Sequence, residues 1–192
     1  MFVLCAGRIR TTQSGPSGEQ VTLRLVGPGE AFGALDVGPG GLYPSGAEAL
    51  QASHALIWDR VAFDQVTEQH PVILRNVLRI VSERLRSLEQ RCRELATVRV
   101  SARVAAALAR LAVQMGQASD GGVLVALGRE DIAQLTGTTP FTVSRLLADW
   151  ESRGFLRSKR EAVLLIDGPG LARHVAADSR RSAAAGETAV SD

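Results

Sequence analysis

One stripe of residues constrains this chain more than any other feature: Leu74, Leu78, Val81, Leu85, Leu88, Cys92 and Leu95. The steps between them alternate four and three, which is the a/d seam of a heptad repeat. No glycine or proline interrupts the chain from Val72 to Met115. The spacing therefore predicts a long helix from Pro71 to about Thr97, with one narrow apolar face. Arg75, Arg79, Glu83, Arg84, Arg86, Glu89, Arg91, Arg93 and Glu94 flank the seam. They are expected to keep the other faces wet and to offer ion pairs between helices. A seam this narrow suits a partner helix better than its own domain, so we expect self-pairing into a homodimer.

The long helix separates two regions of different character. Residues 1–58 are β-rich, within a first domain of residues 1–70. Short runs are punctuated by Ala6-Gly7, Ser14–Gly18, Gly27-Pro28-Gly29 and Gly38–Gly41, all turn signals. Val21, Leu23 and Leu25 alternate with Thr22 and Arg24, the pattern of a half-buried strand. Ala47–Leu50 and Ala55–Trp58 are further strand candidates, and strands at this spacing suggest a small barrel or roll. Beyond the long helix, Ala96–Ser101 reads as a hinge and Ser101–Met115 as a second helix. Gln117–Gly122 reads as a loop before a strand at Val123–Leu127, and residues 98–176 form one domain. The tail, 177–192, is rich in Ser, Ala and charge and is expected to be disordered.

The informative stretch of that domain runs from Gly128 to Trp150. Arg129–Leu135 reads as a short helix with Glu130 and Asp131 at its positive end. Gly137 permits the positive φ that closes it. Thr139 is placed to cap the next helix, and Pro140 stands at its first position, where a missing N–H costs nothing. In that next helix Val143, Leu146, Leu147 and Trp150 share one face and should be buried. The opposite side shows Phe141, Thr142, Ser144, Arg145 and Ala148. Two short helices joined by a tight turn make a helix-turn-helix, whose second helix enters the major groove of double-stranded DNA. Phe155–Arg157 and Ala162–Ile166 then read as a β-wing, with Lys159 and Arg160 at its tip to reach phosphates.

Bulk properties exclude several alternatives. The net charge of +2 neither demands nor forbids nucleic acid. Two cysteines, Cys5 and Cys92, are too few for a usual iron–sulfur cluster or an all-cysteine zinc site. We expect Cys5 in a strand core and Cys92 filling a small apolar position on the seam. His54, His70 and His174 are isolated in sequence, so no metal site is expected. No phosphate-binding glycine loop, nucleophile elbow or acid–base constellation is visible, so an enzyme is not expected. The chain shows neither a signal peptide nor an apolar run long enough to span a bilayer. We therefore expect a cytoplasmic protein with no membrane partner.

The order of parts resembles the Crp–Fnr superfamily of bacterial transcription regulators. The resemblance rests on Leu135–Leu147 with Glu151–Leu156 following, and it extends more weakly over the roll, to about Arg173 overall. It implies an α+β fold with an N-terminal, shortened β-roll, a dimerisation helix and a C-terminal winged helix-turn-helix. The front strands of the roll would be missing, so either the chain starts late or the roll is incomplete. By the same resemblance Arg145 would read a base, Thr139, Thr142 and Ser144 would touch phosphates or neighbouring bases, and Arg129 would hold the DNA backbone. Phe141 stands where the family often has glutamate, which points to a thymine methyl rather than a cytosine amino group.

RNA polymerase is the further partner implied. The effector pocket would correspond to Gly33, Ala34, Leu35 and Ser45. Ala34 replaces the family's glutamate and Pro44 its arginine, so a cyclic phosphate loses its clamp. We expect no cyclic AMP response, no cofactor and an unknown effector. The alternative is a haem- or thiol-dependent sensor whose output is DNA binding.

Overall fold

The computed structural model describes residues 1–18, 20–33 and 43–188, with side chains to Arg181. It divides into two units, Met1–Arg91 and Cys92–Asp192. Of the expected effector residues, Ala34 and Leu35 lie outside the described residues.

Among the described residues, the first unit holds six short strands: β1 (Phe2–Ala6), β2 (Ile9–Ser14), β3 (Gln20–Val26), β4 (Ala31–Phe32), β5 (Gly46–Ala49) and β6 (His54–Ile57). They form two antiparallel sheets, ordered β4-β1-β6 and β3-β2-β5. Leu4, Ile9, Val26 and Phe32 make a small core, and Phe2 stacks on Phe32 with ring centroids 5.1 Å apart. Cys5 is exposed, not in the core, because alternation along β1 turns Leu4 inward and its neighbour outward.

β3 is also inverted relative to its hydrophobic pattern. Thr22 and Val26 are fully buried while Val21 is 45% exposed. The register against β2 slips between Thr11 and Thr12, leaving Leu23 as an extra residue of β3 without a partner in the ladder. The interior face therefore carries Thr11, Thr12 and Thr22.

A helix absent from the sequence reading, α1 (Arg60–Gln69), follows β6. Its signal was available: the Asp59 carboxylate accepts from Ala62 N at 2.8 Å, an N-cap. Next, α2 (Pro71–Thr97) forms over the heptad stretch. Leu74, Leu78, Val81, Leu85 and Leu88 are between 49 and 61% exposed in the single chain. Arg84 and Arg91 do not stay wet as expected. They turn onto the roll and donate to the carbonyls of Ala31 and Leu23. A long side chain can lay its stem along apolar neighbours and still deliver its charge to a polar atom.

The second unit contains α3 (Val100–Met115), β7 (Gln117–Ser119), β8 (Gly122–Val125), α4 (Arg129–Thr136), α5 (Pro140–Ser152), β9 (Leu156–Ser158), β10 (Val163–Leu165) and α6 (Gly168–Thr188). The strands form one antiparallel sheet, β7-β8-β10-β9. β7 occupies the stretch expected to be a loop, pairing with β8 across Asp120-Gly121. The core gathers Val104, Leu108, Val125, Ile132, Val143, Leu147, Trp150, Leu156, Val163 and Leu171, each nearly or wholly buried. The expected disordered tail is helical to Thr188, where α6 continues. Composition predicted too little burial, but alanine and arginine favour a helix once Leu171 and Val175 anchor its start. Among the described residues no helix is long and apolar enough to cross a membrane, and no cluster of metal-ligating side chains occurs.

Candidate nucleic-acid interface

α4 and α5 meet at a turn dictated by three adjacent choices. Gly137 ends α4 in the left-handed region, at φ 61° and ψ 48°, which a side chain adopts at a cost. Thr139 Oγ1 accepts from Thr142 N at 3.2 Å, and Pro140 opens α5. The cap satisfies one of the donors that a helix start leaves unpaired. Val143, Leu147 and Trp150 are buried, and Leu146 on the same side is half-buried. That burial fixes the rotation of α5 about its axis.

The outward stripe is Phe141, Arg145 and Ala148, all exposed. Phe141 is 78% exposed, an unusual position for a phenyl ring on a well-packed helix. Thr142 Oγ1 lies 3.0 Å from Thr139 Oγ1, and Ser144 Oγ donates to Pro140 O at 2.8 Å. Both hydroxyls stand beside the exposed stripe, each held by its own helix. The acidic side chains nearby are engaged elsewhere: Asp149 pairs with Arg153 at 3.1 Å, and Glu151 accepts from Ser158 N at 3.2 Å. The face around Arg145 is therefore not neutralised by α5 itself.

The wing follows directly. β9 and β10 pair from Leu156–Leu165 to Ser158–Val163, and Lys159 N donates to Ala162 O at 2.8 Å to close the tip. Lys159 and Arg160 are exposed there. Arg160 lies 3.9 Å from Glu161 with both side chains in solvent, a contact that contributes little. Arg129, at the first position of α4, donates to Ser158 Oγ at 2.8 Å and to Lys159 O at 3.3 Å. It braces the wing, a contact that the sequence reading did not foresee.

Sequence reasoning also missed Arg103 on α3. Its guanidinium donates to Val98 O at 2.7 Å, Thr136 O at 3.1 Å and Gly137 O at 3.4 Å. One side chain thus joins the break between α2 and α3 to the turn between α4 and α5. Two neighbours reinforce it. Arg110 pairs with Glu94 at 3.3 Å, and Leu95 packs close enough to Gly137 that a Cβ there would lie 2.6 Å from it. Leu95, the last seam residue, thus also serves the helix-turn-helix. The signal for Arg103 was an arginine directly beside Val104, on a helix rich in apolar residues, where it must find partners or water.

The effector residues that are described, Gly33 and Ser45, belong to the first unit. Gly33 has φ 77°, and a Cβ there would meet the Phe2 ring at 2.8 Å. Ser45 is half-buried.

Comparison with known proteins agrees with this architecture. Residues 102–174 match the Crp-like helix-turn-helix domain, and residues 1–70 match the cyclic nucleotide-binding domain. A CRP-like cAMP-activated global transcriptional regulator of Mycobacterium tuberculosis is 31% identical over 175 residues, covering 90% of this chain and 78% of the relative. The transcriptional regulator LdrP of Thermus thermophilus is 31% identical over 176 residues, covering 90% and 86%. The crystal structure of a CRP-family regulator from Thermus thermophilus superposes with a TM-score of 0.76 at 29% identity, covering 91% of this chain and 87% of that one. The fold, the interface and these relatives together place the chain in the CRP-like family of DNA-binding transcription regulators, not among enzymes.

Proposed function

We propose that the chain acts as a homodimer that reads a two-fold operator through α5 and is not switched by cyclic AMP. The observation that carries this reading is the exposed stripe of Phe141 and Arg145 on a helix whose rotation is locked by Val143, Leu147 and Trp150. Arg145 is assigned a bidentate contact to guanine and Phe141 a thymine methyl. Thr139, Thr142 and Ser144 are assigned phosphates or neighbouring bases. Arg129, Lys159 and Arg160 are assigned the DNA backbone, with Arg129 exchanging or sharing its wing contacts. The exposed seam on α2 supports pairing of two copies, since a stripe of large apolar side chains in water is costly for a single chain. RNA polymerase is the further protein partner of such a regulator, acting in the cytoplasm. The proposed indifference to cyclic AMP rests on Pro44, where a clamping arginine would be needed.

The test is selection of genomic DNA fragments by purified protein at a stated salt concentration, with cyclic AMP added or withheld. A palindromic motif with half-sites one helical turn apart is expected, unchanged by the nucleotide. Arg145→Ala should weaken binding to the selected site by roughly 1–3 kcal/mol while leaving non-specific binding nearly intact. Uniform salt-sensitive binding without a motif refutes the reading, and so do equal losses on both kinds of DNA.

A second reading is a thiol-dependent sensor, favoured by the exposure of Cys92 on the seam. Pairing through α2 would bring two copies of it near the dimer axis. An oxidant-dependent cross-link, lost in Cys92→Ser and altering DNA binding, would establish that reading.

A further inference from the structure

We propose that α5 senses the C5-methyl group of a pyrimidine and not the base that carries it, so that the chain accepts 5-methylcytosine where its operator has thymine. Its DNA binding then responds to cytosine methylation. The inference deepens the operator reading proposed above and rests on it.

What stands around Phe141 carries the proposal. The first turn of α5 opens on two exposed apolar side chains, Pro140 and Phe141. Phe141 is 78% exposed, so the fold itself uses little of the ring. Burial of Val143, Leu147 and Trp150 fixes the rotation of the helix and holds that ring on the outward stripe. A phenyl ring makes no conventional hydrogen bond to a base edge. It gains by covering apolar surface.

In the major groove, thymine shows the O4 acceptor and the C5-methyl group, while cytosine shows the N4 amino donor. Telling O4 from N4 takes a side chain that donates or accepts at that edge. From Thr139 to Ala148 there is no aspartate, glutamate, asparagine or glutamine. The hydroxyls of that stretch are engaged locally. Thr142 Oγ1 lies 3.0 Å from Thr139 Oγ1, and Ser144 Oγ donates to Pro140 O at 2.8 Å. A hydroxyl also serves either base edge, so it discriminates little. The remaining polar side chain, Arg145, only donates. It follows Phe141 by one helical turn on the same stripe and is assigned a guanine. The pyrimidine beside that guanine is thus left to Phe141, which feels the methyl alone. Methylation of cytosine at C5 puts the same group at the same point of the groove.

The test uses the full chain and two random duplex libraries, one made with deoxycytidine and one with 5-methyldeoxycytidine. Both should yield the same two-fold motif. One half-site pyrimidine beside a guanine should read thymine in the first library, and thymine or cytosine in the second. Four duplexes then carry thymine, uracil, 5-methylcytosine or cytosine at that position. Thymine over uracil, and 5-methylcytosine over cytosine, should each gain roughly fourfold in affinity, the effect of burying about one methyl group. Within each pair the opposing purine is unchanged, so only the methyl differs. The two methylated bases should differ from each other by less than either gains from its methyl.

Phe141→Ala should abolish both gains. Phe141→Glu should instead favour cytosine, methylated or not, because a carboxylate accepts from N4. The ring is exposed, so neither substitution should disturb folding, which circular dichroism checks. A gain for thymine with none for 5-methylcytosine, equal binding of all four bases, or gains that survive in Phe141→Ala would overturn the proposal and leave the operator reading standing. Absence of a motif from both libraries would overturn both.

Discussion

Arg103 shows how a single side chain can govern a surface that it never reaches. Its three acceptors lie on the hinge and on the turn of the helix-turn-helix, so it ties the exit of α2 to the entry of α5. Arg103→Met keeps much of the apolar stem and removes every donor. Hydrogen bonds from charged groups contribute about 1.5–3 kcal/mol, and geometry at 3.4 Å is weak, so we expect a loss near ~2 kcal/mol in urea unfolding. Specific DNA affinity should fall with it, since the turn that aims α5 loses its tether. Unchanged operator affinity in a destabilised variant would reduce Arg103 to a packing residue. Thr139→Ala is the milder case. It removes only the cap on Thr142 N and should cost about 1 kcal/mol in the same unfolding assay.

At the scale of elements, the wing illustrates division of labour. Its base is held twice, by Arg129 from α4 and by Glu151 from α5, while its tip is left free in solvent. An element held at one end and charged at the other suits contact with phosphate, which fixes position but reads no sequence. Lys159→Ala should therefore weaken all DNA sequences alike. The slope of log affinity against log salt should fall by about one. A loss confined to the operator would show instead that the wing reads bases. The salt titration of this variant beside Arg145→Ala separates the two roles, because only the arginine variant should change sequence preference.

The whole molecule depends on α2, whose seam is exposed when one chain is considered by itself. Leu78 and Leu85 are 61% and 57% exposed, so replacing them should disturb the single chain little. The double variant Leu78→Asp, Leu85→Asp places two carboxylates in each helix of a pair. We expect sedimentation velocity to show a monomer, circular dichroism to keep its helical signal, and affinity for a palindromic site to fall more than tenfold. A dimer that survives both aspartates would mean that the chains pair elsewhere.

Local rules were legible in the sequence because they act within a few residues. The heptad steps specified α2, and Gly137, Thr139 and Pro140 set the turn and start of the second helix. The apolar face of Val143, Leu147 and Trp150 set which side of α5 looks outward. Other features depend on neighbours distant in the chain. The fold buries Thr22 and Val26 of β3 and leaves Val21 outside, a choice of face that no alternation within β3 could reveal. Arg84 and Arg91 looked like solvated charges by position, and Arg103 was not singled out. Their long side chains instead found backbone carbonyls of β4, β3 and the α4–α5 turn. An arginine at the end of four bonds can reach several destinations, and only the packed fold decides which carbonyl lies within hydrogen-bonding distance. The sequence by itself determined the reading head and its helix. The tertiary structure decided where the cations go, because that depends on which strands pair and in what register.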